Sequence, residues 1–359
     1  MTKISNNIFL SDGKLLTQEA KLNVLSCFDG MSCLQIALDK LGIPINKYFA
    51  SEIDKYAMKV TQANYPNTIQ LGNIEFITKQ TFGSNKIQLF AGGSPCQSFS
   101  RGGDQSGFDG KSRLFWEYVR LLKDLKSENP NLLFLLENVK MKQEWQDVIT
   151  DALGVEPIRI NSKLVSGQTR DRLYWTNIPG VEVPKDKGIL LETILESGEV
   201  DRDKAYCIDA NYFKGTNASQ YISKSRRQIV WVIPEATKKG FVEVGPGQCI
   251  DLTFIKSKTR RGRLMLEKSN CLTASSQNLC KVTNDWFRKL TPIECERLQT
   301  VPDNYTNHVS NSQRYKMIGN GWTVDVITHI LKGMSEKKEG KKKNIVTDKM
   351  HEPLIETGT

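Results

Sequence analysis

The sequence predicts an α/β fold: a doubly wound, mostly parallel sheet with a second, smaller and strand-rich domain. Three observations lead there. In the first half, short β-rich segments alternate with helical patterns: NVLSCF (residues 23–28), KYFASEI (47–53), IQLFAG (87–92) and NLLFLLEN (131–138). The last two are continuous apolar runs with no polar alternation, as strands covered on both faces of a parallel sheet require. Beyond Pro179 the long helical patterns stop, and they resume only from Asp285.

Each element has its own signal. SCLQIALDKLG places Leu34, Ala37, Leu38 and Leu41 at helical spacing, with Gly42 in the position that closes a helix. Residues 55–64 read as a helix ending before Pro66. Residues 112–126 carry a helical stripe through Leu114, Tyr118, Leu121, Leu122 and Leu125. In TPIECERLQ, Thr291 as N-cap, Pro292 at N1 and Glu294 at N3 form a strong start signal, and WTVDVITHILKGM follows as a closing helix. The expected division is a first domain over 1–180, a smaller lobe over 181–290 and a return to the first domain over 291–334. The lysine-rich tail, 335–359, is expected to be disordered.

Composition narrows the partners. Fifty Lys and Arg against forty Asp and Glu give a net charge of +10, which favours an anionic partner such as nucleic acid. The eight cysteines form no CxxC and the three histidines are far apart, so neither a disulfide scaffold nor a metal site is expected. The first residues lack the apolar core of a secretory leader and the densest apolar run is only LLFLL, so a cytoplasmic, unanchored protein is expected.

Chemistry concentrates in four places. FAGGSPCQSFSRGG (90–103) runs from an apolar strand through Gly92 and Gly93 to Pro95 and Cys96, where open α/β sheets hold their ligands. A cysteine in such a loop is a candidate nucleophile if a partner lowers its pKa. Glu137 ends the apolar strand NLLFLL at the equivalent level. In QTRDRLYW, alternation puts Gln168, Arg170 and Arg172 on one side of an extended segment, three donors suited to an anion or a base carbonyl. CFDGMSC (27–33) reads as strand, turn and helix start, and Glu52 lies 22 positions beyond Gly30, where a ribose hydroxyl pair is commonly taken. The spacing suits an adenosine-containing cofactor without choosing among them.

These pieces, in order over residues 22–334, resemble the cytosine-5 DNA methyltransferase family, of prokaryotic or phage type. GGSPCQSFS resembles its nucleophile motif, ENV its glutamate motif and QTRDR its Gln-x-Arg-x-Arg element. LTPIECERLQTVPDNYT and YKMIGNGWTVDVI resemble its last two motifs. The resemblance implies the S-adenosyl-L-methionine (AdoMet)-dependent methyltransferase type of sheet and a target-recognition domain over 181–290. It implies Cys96 as the attacking thiolate, Glu137 at the cytosine N3 edge and Arg170 at its carbonyl, with Arg172 and Gln168 in support. For AdoMet, which leaves as S-adenosyl-L-homocysteine, it implies Phe28, Asp29, Gly30, Met31, Ser32, Cys33, Glu52, Ile53, Asn73, Ile74, Gly93, Pro95, Asn320 and Trp322. No metal is implied. Two features depart from the pattern. Ser32 and Cys33 replace the later glycines of a Phe-x-Gly-x-Gly-Gly motif, and Asn73 stands where an Asp usually holds the adenine amino group. FDG and GNGWTV are closer to the animal de novo enzymes.

The implied partner is double-stranded DNA, with a cognate restriction enzyme as a cellular counterpart and a monomeric enzyme. Lys256, Lys258, Arg260, Arg261 and Arg263 are the candidate phosphate contacts. Arg263, Thr273, Ser275 and Gln277 are candidates for base edges, and Ser98 for the strand beside the nucleophile. Two rival readings stay open. A tRNA cytosine-5 methyltransferase typically reads Pro-Pro-Cys-Gln-Pro-Phe, whereas this chain has Ser94 and Ser98 flanking Pro95, Cys96 and Gln97. An inactive DNA-binding protein on the same scaffold would not need to keep Cys96, Glu137, Arg170 and Arg172.

Overall fold

The segments that carry both-face apolar runs become the centre of the sheet. The computed structural model describes residues 8–9, 15–16, 21–95, 113–215, 220–221, 223–238, 240–242, 249–250, 257, 259, 264–265 and 287–334. Seven strands form the main sheet: β1 (Leu22–Cys27), β2 (Ile45–Ser51), β3 (Ile69–Gln70), β4 (Leu89–Gly92), β5 (Leu133–Val139), β6 (Pro157–Asn161) and β7 (Asp171–Thr176). Their spatial order is β3-β2-β1-β4-β5-β7-β6. All pairings through β5 are parallel, and β7 runs antiparallel to both β5 and β6.

Alternation within the apolar runs assigns each residue to one face. Leu133 and Leu135 point into one buried cluster, and Phe134 and Leu136 into the other. Leu89 and Ala91 divide from Phe90 in the same way. The first cluster is closed by α1 (Cys33–Lys40), α5 (Pro292–Leu298), α6 (Asn311–Asn320) and α7 (Val324–Leu331). The second is closed by α3 (Leu114–Glu128) and α4 (Gln143–Leu153), while α2 (Lys55–Asn64) follows β2. Each wholly buried Leu or Phe side chain contributes about 1.5–3 kcal/mol, so both faces must be covered for the sheet to persist.

The helix ends follow the sequence signals. In α2 the Asp54 carboxylate caps Tyr56 N at 2.9 Å. In α5, Thr291 Oγ1 accepts from Glu294 N at 3.1 Å while Glu294 Oε2 accepts from Thr291 N at 2.8 Å. Glu294 also pairs with Arg288 at 2.7 Å, which ties α5 to the strand 287–289. That strand pairs antiparallel with 229–231, and two more short ladders join 233–234 to 241–242 and 249–250 to 264–265. Leu191, Ile194, Ala205, Ile208 and Tyr212 share the cluster that holds α5–α7, so the main core continues past residue 180. Among the described residues no helix is long and apolar enough to cross a membrane.

Candidate active site

Register brings the four motif regions to one edge. Cys27 pairs with Gly92 and with Ser51, and Gly92 pairs with Leu136. Phe28, Glu52 and Gly93 therefore leave neighbouring strands at the same carboxyl edge of the sheet, and Glu137 lies level with them near the end of β5. This is the edge where parallel sheets place ligands.

Glu137 is fixed from two sides. Its Oε1 lies 2.9 Å from Arg172 Nε, and its Oε2 accepts from Trp322 Nε1 at 3.1 Å. Its side chain is only 11% exposed, so both bonds act in a medium that strengthens them. Gly93 sits against this pair: a Cβ there would lie 2.8 Å from Trp322 Nε1 and 3.0 Å from Glu137 Oε2. Glycine is thus required by the approach of these two side chains. The next residue of the glutamate motif, Asn138, donates from Nδ2 to Ser94 Oγ at 3.1 Å and fastens the loop two residues before Cys96. Its place directly after Glu137 at a strand end was a signal that motif reading passed over.

The Gln-x-Arg-x-Arg element divides its tasks differently from the sequence expectation. Arg172 is the guanidinium beside Glu137. Arg170 is buried and spends its donors on Ile208 O (3.0 Å), Gly321 O (3.0 Å) and Gly319 O (3.3 Å), with Cys207 Sγ at 3.3 Å. Gln168 is wholly buried and donates to Leu298 O at 2.8 Å and Gln299 Oε1 at 2.9 Å. Gln299 in turn donates to Ile318 O at 2.8 Å and Gly321 O at 3.1 Å. Arg170 and Gln168 therefore brace the Gly319–Trp322 loop, and the loop carries Trp322 to Glu137. The expectation that Arg170 meets a cytosine carbonyl is corrected: its guanidinium is committed to main-chain oxygens.

The loop after β1 has an unusual backbone. Phe28, Gly30 and Ser32 have φ of 56°, 58° and 63°, and Ser32 is the N-cap of α1. Gly30 N donates to Glu52 Oε2 at 2.8 Å, and Glu52 Oε1 accepts from Ile53 N (2.7 Å) and Asp54 N (2.8 Å). Ser51 Oγ donates to Gly72 O at 2.8 Å, so the loops after β2 and β3 emerge side by side. They present Ile53 (75% exposed) and Phe76 (81% exposed). Asn73 caps the short turn 74–76 through Glu75 N at 3.1 Å. A fixed carboxylate for hydroxyls, an amide and exposed apolar surfaces form a donor set that fits an adenosine-containing ligand. Met31, Cys33 and Ile74 do not present side chains to it, because all three are packed in the core. Asn320 is exposed.

Asp29, in this loop, is buried, and burial pushes its carboxyl up to about 6 against the hydrogen bonds of Ser26, Ser32 and Tyr48. A raised folded pKa means that the folded chain holds the proton more tightly than the unfolded chain. The stability that depends on this proton is complete below the ordinary carboxylate range and is lost as pH rises to about 6. Asp29→Asn removes the dependence. Between about pH 4 and pH 7 the unfolding free energy of the parent should fall in urea denaturation, and the curve of Asp29→Asn should lack that fall.

Pro95 is placed at the end of this described stretch. Cys96, Ser98, Lys256, Lys258, Arg260, Arg261, Arg263, Thr273, Ser275 and Gln277 lie outside the described residues, as does the tail 335–359. Among the described residues no three His, Cys, Asp or Glu side chains converge as a metal site.

A seven-stranded sheet of this order, with an acidic residue after its second strand and a carboxylate–guanidinium pair joining its fifth and seventh, is a fold of the methyltransferase type. Comparison with known proteins gives the particular family. The model of the C-5 cytosine-specific DNA methylase family matches residues 22–147 and 182–336, and the chain belongs to that family. It is a DNA (cytosine-5-)-methyltransferase. The type II methyltransferase M.HpaII of Haemophilus parainfluenzae is 26% identical over 338 residues, 88% of this chain and 90% of the relative. M.HhaI of Haemophilus parahaemolyticus is 26% identical over 334 residues, 86% and 93% of the two chains. The solved structure of the Entamoeba histolytica methyltransferase EhMeth aligns with a TM-score of 0.55 at 16% identity, covering 88% of this chain and 98% of that one, and supports the fold.

Proposed function

We propose that this enzyme methylates C5 of a cytosine flipped out of a specific double-stranded DNA sequence, by way of a covalent bond between Cys96 and C6 of the base. The observation that carries the reading is the placement of Glu137 between Arg172 and Trp322, beside the Gly93–Pro95 segment that leads into Cys96. Cytosine C5 is too weak a nucleophile to take a methyl group unaided. Addition of the Cys96 thiolate at C6 forms the C–S bond and moves the electron pair toward C5. Glu137 holds the proton at N3, and the Arg172 guanidinium faces the carbonyl side, where charge accumulates. AdoMet, held against Glu52, Ile53 and Asn73, supplies an electrophilic methyl group. After transfer, a base takes the C5 proton, the C–S bond breaks and the thiolate is restored. A stacked base cannot meet both Cys96 and Glu137, which is the reason for flipping.

Residues 181–290 are the proposed reader of the DNA, with the basic run 256–263 on phosphates. The type II relatives suggest work beside a cognate restriction enzyme. Tritium from labelled AdoMet should enter duplex DNA and not tRNA, and bisulfite sequencing of DNA from expressing cells should show protected cytosines in one sequence context. Label entering only tRNA would overturn the assignment.

A further inference from the structure

We propose that a buried hydrogen-bond chain, Tyr48–Asp29–Ser32–Gln35–Thr68, sets the shape of the cofactor loop and does with side chains what the absent glycines would do with backbone freedom. This rests on the cofactor reading above. Ser32 occupies the left-handed region, φ 63° and ψ 43°, which is costly for every residue but glycine. Something must hold it there. Its amide donates to Asp29 O at 3.0 Å, and its hydroxyl donates to Asp29 Oδ2. Tyr48 OH donates to the other oxygen, Oδ1, at 2.7 Å. Because the Ser32 proton is given to Asp29, the serine oxygen is left as an acceptor, and Gln35 Nε2 donates to it at 2.9 Å. The same nitrogen donates to Thr68 Oγ1 at 2.9 Å. All five residues are buried.

The two ends of the chain give it a function beyond local shape. Tyr48 lies on β2, which leads to Glu52 and Ile53. Thr68 directly precedes β3, which leads to Asn73. Gln35 lies on α1, whose N-cap is Ser32. One chain of donors thus links the loop to both strands whose ends carry the proposed cofactor contacts. Tyr48, Gln35 and Thr68 are positioning residues, acting on the cofactor through Asp29 and Ser32.

The decisive experiment is calorimetric AdoMet binding to the full chain, as a cycle of Gln35→Leu, Ser32→Gly and their combination. Gln35→Leu should weaken binding about tenfold. Ser32→Gly adopts the same φ without help, so it supplies the background in which the brace has nothing left to hold. Adding Gln35→Leu to that background should cost less than about threefold, because a glycine no longer needs the brace. Duplex DNA affinity in a mobility-shift assay should not follow these changes, whereas general damage to the fold would lower it in step. If Gln35→Leu does not fold, Thr68→Val, which removes the far acceptor at nearly equal volume, takes its place with the same expected outcome. Independent, multiplying losses in the double variant would overturn the brace while leaving the cofactor reading intact. A parent chain that binds no AdoMet would overturn the cofactor reading and the brace with it.

Discussion

Cys96→Ser is expected to lower kcat for methyl transfer by at least about 10³-fold, with the melting temperature and duplex affinity nearly unchanged. A serine hydroxyl remains protonated at neutral pH and is a poor nucleophile toward the C6 of a pyrimidine, whereas a thiol is partly ionised and intrinsically reactive. The surroundings that deliver the residue are fixed: β4 ends at Gly92, Gly93 packs under Trp322, and Asn138 holds Ser94. A substitution of one atom in the loop beyond them should therefore act on the chemistry and not on the fold. A second measurement separates covalent from non-covalent chemistry. Duplex DNA with 5-fluorocytosine at the recognised position cannot lose a proton from C5 after methylation, so the parent should form an adduct stable in denaturing electrophoresis. The Cys96→Ser variant should form none. An adduct in the variant, or a loss of activity under tenfold, would rule out Cys96 as the nucleophile.

The sheet was legible because its signals are local. The runs LFAG and LLFLL are short and bounded by turn or polar residues, which suits strands buried on both faces. The helix over residues 55–64 and the capping box at Thr291 and Glu294 were equally local, each set by residues within one turn. By position, Glu137 near the end of β5 and the Gly93–Pro95 segment after β4 sit at neighbouring strand ends, as the order of the motifs suggests. What was not legible was the division of labour in QTRDR. Alternation places Gln168, Arg170 and Arg172 on one side only if the segment is extended throughout. In the fold β7 begins at Asp171, and Gln168 instead bridges to Ala205 in a separate connection. Gln168 and Arg170 reach carbonyl oxygens 130 and 149 residues later, which no local pattern encodes. Trp322, a cofactor candidate by its motif, also gives its indole N–H to Glu137, 185 residues earlier, a contact that no local pattern encodes. The serine at position 32 was visible as a departure, but the partners that tolerate it come from β2, α1 and the turn before β3.

The same division of labour predicts that the two arginines will fail in different ways. Arg172→Ala should lower kcat by about 10²–10³-fold, since it removes the guanidinium that orients Glu137 and faces developing charge on the base. Its effect on folding should be smaller than that of Arg170→Ala, because Glu137 keeps the Trp322 donor at 3.1 Å. Arg170→Ala should do the reverse. It deprives the buried oxygens of Ile208, Gly319 and Gly321 of a donor, at about 1–3 kcal/mol for each one left unsatisfied. The melting temperature should fall by several degrees or more, and activity should fall with it because Trp322 is no longer held over Glu137. The readout is therefore a pair of numbers for each variant, melting temperature and kcat on a saturating duplex. Conservative replacements sharpen the contrast, because a lysine at position 172 keeps a charge beside Glu137, while a lysine at 170 cannot span three carbonyls with one ammonium group. Equal ratios of lost activity to lost stability in Arg172→Ala and Arg170→Ala would contradict the assignment of Arg172 to the reaction and Arg170 to the loop.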